Sequence, residues 1–211
     1  GLPSGTLWAT CNLGASTPQG CGNYYGWGSK TQYPSNFSVV WEKYFYTLGL
    51  ADISGDNLNL YCGTDNDPLQ SYVNKSLSIE GTQYDAAHIK LGGNWRMPTD
   101  EEWKELMNPK YCSYTWDTGN KCLVVKSYVP GYEGNSIILP AGEKNNGKKP
   151  SKSDIVCGYY WSALPVRPGV HSGIAVAENA TTFSFNTSTG IISTDSYALR
   201  CYGLLIRPVM K

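Results

Sequence analysis

The clearest helical alternation of apolar and polar positions lies in residues 92–107. Trp103, Leu106 and Met107 fall on one helical face. Thr99 offers an N-cap, and Glu102, three residues on, closes a capping box. Asp100, Glu101 and Glu102 place negative charge at the positive end of the helix dipole. Pro98 is positioned to meet Trp103 as a hydrophobic staple, and Asn108-Pro109 ends the run. The three carboxylates suggest an acid/base cluster, but capping accounts for them. Trp95, Arg96, Thr99, Glu102 and Trp103 are therefore assigned structural roles. A weaker helical pattern covers residues 81–91, with Thr82 or Gln83 at its start and Gly92-Gly93 at its end.

Elsewhere the pattern is that of strands. Residues 2–28 read as strand, turn, strand, and the ribbon Tyr24-Tyr25-Gly26-Trp27-Gly28 reads as rings packed on backbone in the core. Residues 111–116 and 121–129 form a hairpin around Asp117-Thr118-Gly119-Asn120. Further strands are expected at 135–141, 157–163, 172–178, 181–185 and 199–209, with alternation clearest at Ile174, Val176, Phe183 and Phe185. Residues 142–153 form a solvated loop rich in lysine and asparagine. Two short helices beside many strands give an α+β domain over residues 1–211, with no internal repeat. Residues 29–80 are the least patterned part.

Composition narrows the partners. Of 211 residues, 41% are hydrophobic and 16% charged, and 17 Lys plus Arg balance 17 Asp plus Glu. A neutral chain has no electrostatic footprint for nucleic acid or an anionic membrane. No apolar run reaches the ~20 residues that span a bilayer. Gly1 before Leu2-Pro3 reads as a cleavage scar, so a leader or lipid anchor is expected to have been removed. Seven cysteines suggest an oxidising compartment, and an odd number leaves at least one thiol without an internal partner. Cys112 and Cys122 flank the hairpin turn and are a candidate cross-strand disulfide; buried free thiols are the alternative. No Cys-x-x-Cys occurs.

The run Gly92-Gly93-Asn94-Trp95-Arg96-Met97-Pro98-Thr99, followed by Glu102-Trp103 and Leu106, resembles the signature of the Fibrobacter succinogenes major paralogous domain family. That family is common in secreted Bacteroidetes proteins, adopts a C-type lectin-like fold and is related to the formylglycine-generating enzymes. Leu7-Trp8-Ala9-Thr10-Cys11-Asn12-Leu13-Gly14-Ala15 resembles its opening strand. The segments Gly134-Asn135-Ser136-Ile137-Ile138-Leu139-Pro140-Ala141-Gly142 and Tyr159-Tyr160-Trp161-Ser162 resemble central strands. Tyr202-Gly203-Leu204-Leu205-Ile206-Arg207-Pro208-Val209 resembles the closing strand. The resemblance implies a C-type lectin-like fold with residues 29–80 as a variable insertion. It places Cys157 and Cys201 in core strands and makes Cys21 and Cys62 a candidate pair.

Little catalytic chemistry is visible. There is no phosphate-binding glycine loop, no His-Glu-x-x-His and no Gly-x-Ser-x-Gly, and the histidines are His88 and His171 alone. The related oxidases use two cysteines four residues apart near the C-terminus with copper, whereas this region offers Cys201 alone. The calcium-binding tripeptides of sugar-binding C-type lectins are absent. Asp65-Asn66-Asp67-Pro68 is a set of hard oxygen donors, but it lacks calcium-loop spacing and reads as a turn. No cofactor or metal is expected. Four Asn-x-Ser/Thr triplets, at Asn36, Asn74, Asn179 and Asn186, read as chance in a bacterial chain.

The expected function is therefore non-catalytic: a secreted or cell-surface module, extracellular or on the bacterial outer surface, that binds a glycan or a protein. Trp116, Tyr132, Arg167, His171 and Tyr197, each beside turn-like sequence, are the candidate ligand contacts. Trp116 and Tyr197 fit the core equally well. A structural subunit of a surface assembly, such as a fimbrial tip, is the first alternative, and a thiol oxidase is the second.

Overall fold

The structure is a computed structural model; it describes residues 1–32, 77–144, 156–166, 179–200 and 202–211. The expected insertion at 29–80, the loop at 142–153, the strand at 172–178, Arg167, His171, Cys62, Cys201 and the Asp65–Asp67 turn lie largely or wholly outside those residues.

Eight strands and two helices are described. They are β1 (Leu7–Trp8), α1 (Ala86–Leu91), α2 (Asp100–Leu106), β2 (Cys112–Asp117) and β3 (Cys122–Ser127). After them come β4 (Ser136–Pro140), β5 (Cys157–Pro165), β6 (Asn179–Asn186), β7 (Ile191–Leu199) and β8 (Val209–Met210). The strands form three antiparallel sheets, β1–β8, β2–β3–β4 and β5–β6–β7. The class is α+β, as the pattern of elements implies. The first and last strands pair, Leu7 opposite Met210 and Trp8 opposite Val209, so the two ends of the chain lie together.

The helix α2 is built by its own sequence. Thr99 accepts from the Glu102 backbone N–H, and the Glu102 carboxylate accepts from the Thr99 N–H at 2.9 Å. Trp103, Leu106 and Met107 are buried. The carboxylates do more than cap. Asp100 accepts from the hydroxyls of Thr181, at 2.7 Å, and Ser162, fastening the helix N-terminus to the β5–β6 sheet. Glu102 accepts from both terminal nitrogens of Arg96, at 2.8 and 2.7 Å, and from the Thr6 hydroxyl. The helix thus ties the chain start to the central sheets.

Other expectations shift. The first helix begins at Ala86 rather than near Thr82, because Asp85 is its N-cap and accepts from the Ala87 and His88 N–H groups. The Asp85 carboxylate also accepts from the Gly81 and Met97 N–H groups, which joins α1 to the stretch before α2. Gly92 does end α1, at φ 70°. In the first 28 residues only Leu7–Trp8 is a strand, with Tyr25 held by an isolated bridge to Leu204. Residues 199–209 are not one strand. Leu199 ends β7, Leu204 and Leu205 make single bridges, and β8 starts at Val209.

Two buried clusters fill the interior. One gathers Tyr25, Trp27, Met97 and Trp161, as the ribbon reading implies for Tyr25 and Trp27. The other gathers Trp103, Tyr160, Phe183, Phe185 and Leu205. Trp103 stacks on Phe183 at 4.4 Å between ring centroids. Burying such a ring contributes roughly 2–3 kcal/mol.

Candidate functional site

The candidate site is an aromatic cleft between the β2–β3 hairpin and the β6–β7 turn. Along β2, side chains alternate between faces, so Cys112, Tyr114 and Trp116 share one face. Trp116 sits opposite Leu123, and Tyr114 opposite Val125. Leu123 and Val125 are buried, whereas Tyr114 is 46% exposed and Trp116 half-buried. The face therefore begins as core and runs out into solvent.

The other wall is Phe185 and Ile192, which face each other across β6 and β7. The Trp116 and Phe185 rings meet tilted at 59° with centroids 5.7 Å apart. Phe185 lies flat against β5 because residue 158 is glycine; a Cβ there would overlap its ring. The joining turn is set by Asn186, whose side-chain oxygen accepts from the Ser188 N–H at 3.0 Å and the Thr189 N–H at 3.1 Å. Gly190 completes the turn at φ 71°, a backbone conformation that side chains disfavour. The volume of the cleft is about 190 Å³. Ordinary small-molecule pockets hold ~300–1,000 Å³, so this cleft suits one ring or one side chain.

The ligand contacts expected from sequence do not converge. Trp116 lies in the cleft. Tyr132 is exposed on the loop after β3, at the opposite end of that sheet, where its ring packs against Gly1. Tyr197 is exposed on β7, opposite Thr181. Five residues of strand, about 17 Å, separate it from Ile192. Arg167 and His171 lie outside the described residues. Tyr114, Phe185 and Ile192 complete the cleft and were not anticipated. For Tyr114 the signal was its two-residue spacing from Trp116. Phe185 and Ile192 reach the cleft only through strand pairing.

Arg96 bridges Glu102 and, at 3.1 Å, Glu80. Trp95 offers its carbonyl to the His88 ring at 3.2 Å, which gives His88 a local partner.

The described thiols form no disulfide with one another. Cys11, Cys21, Cys112, Cys122 and Cys157 are all free. The expected Cys112–Cys122 bridge fails on register: Cys112 lies opposite Ser127 and Cys122 opposite Asp117, at the two ends of the hairpin. The candidate Cys21–Cys62 pair includes Cys62, which lies outside the described residues. Burial pushes the Cys21, Cys112 and Cys157 thiols up. Burial, with the Asp117 charge, takes Cys122 to about 11. Each of these four is protonated at neutral pH and a poor nucleophile.

Among the described residues, no group of three or more His, Cys, Asp and Glu side chains could hold a metal ion, and no helix is long and apolar enough to cross a membrane. The cleft itself offers ring faces, aliphatic surface and a few hydroxyl and amide groups. Groups of that kind can hold and orient a ring by stacking and apolar contact. No protein-family model, no curated protein and no solved structure matches the chain.

Proposed function

We propose that this protein is a secreted or cell-surface, non-catalytic binding module with a C-type lectin-like fold, and that it holds one ring of a glycan in the cleft at Trp116. The observation that carries the reading is the cleft itself, an open aromatic slot at the edge of the core. Exposing tyrosine and tryptophan faces beside apolar walls forgoes burial, and stacking on a sugar ring recovers part of it. The lectin-like fold rests on the resemblance of residues 92–106 and is supported by the pairing of the first and last strands around two short helices. The raised thiols disfavour oxidase chemistry at the described cysteines.

A glycan array probed with the wild-type protein and with Trp116→Ala tests this. Wild type binds a restricted set of glycans, and Trp116→Ala binds them at least about tenfold more weakly. A blank array, or binding that Trp116→Ala leaves intact, contradicts the reading. A second reading, a subunit of a surface assembly such as a fimbrial tip, is favoured by one separate feature: among the described residues, no further strand pairs with the outer edges of β1 and β4.

A further inference from the structure

The cleft at Trp116 has two unlike sides. On one side, β2 is the outer strand of its sheet, and among the described residues no strand pairs with its far edge. Tyr128 N–H donates to the Tyr111 carbonyl at 2.7 Å, so the odd-numbered residues of β2 are the set bonded to β3. Alternation turns the backbone N–H and C=O groups of Tyr114 and Trp116 outward, along the edge beside the Trp116 ring. The hydroxyls of Tyr114 and Thr115 lie on the same strand, on exposed side chains. Hydrogen-bond partners for a ligand are therefore concentrated along β2.

The other side is poor in them. Leu123 and Phe185 are buried, Ile192 is half-buried, and all three are apolar. Asn186 also lines the cleft, but its amide is engaged locally. Its oxygen accepts from the Ser188 and Thr189 N–H groups and, at 2.7 Å, from the Ser188 hydroxyl, and its side chain bonds the Cys157 thiol. The Thr187 N–H donates to the Val156 carbonyl at 2.8 Å, and half-buried Thr187 keeps its hydroxyl. No charged side chain lines the cleft.

An ordinary hexose does not match that division. It carries hydroxyls around its ring and another on its hydroxymethyl arm, so a slot of one ring's size presses one of them against Phe185 and Ile192. A hydroxyl held there without a partner loses its water and gains no bond in exchange. A carboxylate fares worse, since no cation faces it. A methyl group in the same place gains apolar contact.

We infer that the cleft selects a neutral deoxyhexose, a sugar with a methyl group where an ordinary hexose has hydroxymethyl. That methyl lies against Phe185 and Ile192, and the ring hydroxyls face the β2 edge. The inference rests on the glycan reading of the cleft and adds the class of sugar.

The test compares sugars that differ only in that group: methyl α-L-fucoside with methyl α-L-galactoside, and methyl α-L-rhamnoside with methyl α-L-mannoside. Each is titrated into the wild-type protein and followed by NMR at the amides of residues 114–116 and 185–192, with methyl α-D-glucuronide as the anionic sugar. In at least one pair the deoxy sugar is expected to bind about tenfold more tightly than its hydroxylated counterpart, and the glucuronide more weakly than either. Saturation transfer from the protein is expected to be strongest at the methyl protons of the bound sugar. Ile192→Ser, which offers a hydroxyl partner on that wall, is expected to shrink the difference to about twofold. Absence of the preference in both pairs overturns the inference, as does glucuronide binding as tight as that of the deoxy sugars. The glycan reading survives either result if the array still shows binding that Trp116→Ala removes, whereas a blank array overturns both. An undiminished difference in folded Ile192→Ser overturns the placement of the methyl group. If Ile192→Ser misfolds, the wild-type comparison within each pair decides.

Discussion

Arg96 and Arg207 are both drawn out of water, yet their surroundings differ in kind. Arg96 sits at the surface edge of α2 and is neutralised by carboxylates, Glu102 at 2.7 Å and Glu80 at 3.1 Å. Arg207 is fully buried, and among the described residues no carboxylate pairs with it. Its guanidinium donates to Asn12 Oδ1 and to the Ala9 carbonyl, each at 2.8 Å, and to the Ile138 carbonyl. Burial pulls its pKa below the usual guanidinium value, but arginine stays charged. The difference teaches how each region responds to change. The Arg96 region is charge balanced by charge and therefore answers to pH. The Arg207 region is charge solvated by fixed dipoles, so it answers to geometry.

Arg207→Leu should break that comparison hardest. One buried and two part-buried acceptors lose their donor, at about 1–3 kcal/mol each, so the expected loss is about 3 kcal/mol or more in a urea melt. Arg207→Lys should recover little, because an ammonium cannot present the same planar fork to three acceptors. A variant of near-normal stability would show that the carbonyls find other partners.

Glu102→Gln should cost less, about 1–3 kcal/mol. Glutamine preserves the capping box but not the ion pair. Burial pushes the Glu102 carboxyl up, while hydrogen bonds from Arg96, the Thr99 N–H and Thr6 outweigh it, and the net value lies below 4.5. A carboxyl whose folded pKa is depressed stabilises the protein above its unfolded pKa. That stability is lost as pH falls through the folded value. Wild type should therefore lose stability as pH drops below about 4.5, and Glu102→Gln should flatten that slope. Arg207→Lys should leave it unchanged, which sharpens the contrast between the two regions.

Glu101→Ala is the smallest expected change. Its partner Lys104, at 2.9 Å, is half-exposed, and Glu101 itself is largely in solvent. Such pairs contribute about 0–0.5 kcal/mol, so the melting curve should barely move.

The same division runs through what the sequence disclosed. The cap of α2 was legible because Thr99 and Glu102 satisfy each other within one turn. The buried face of Trp103, Leu106 and Met107 follows from the same local period. The start of α1 was misplaced because Asp85 draws its partners from both sides, and its bonds to Gly81 and Met97 are not periodic. The strand β7 was missed because Ile191–Leu199 carries Ser193, Thr194, Asp195 and Ser196 in its middle, so little apolar alternation marks it. The hairpin suggested a Cys112–Cys122 bridge only while its register was unknown.

The site was legible in one residue. Trp116 was recognisable beside a turn, but its neighbours Phe185 and Ile192 are brought in by pairing across β6 and β7. Arg207 had a signal that went unread: a charge inside the apolar run Leu204-Leu205-Ile206, followed by Pro208 and Val209, must find buried partners. Those partners, Ala9, Asn12 and Ile138, lie far away along the chain.

The central claim is that ligand enters at Trp116. The direct measurement is an amide NMR titration of the wild-type protein with the glycan that gives the strongest array signal. The account predicts shifts confined to Tyr114, Thr115 and Trp116 of β2 and to residues 185–192, saturating at one equivalent and absent in Trp116→Ala. Saturable shifts centred anywhere else, with these amides unmoved, would contradict it.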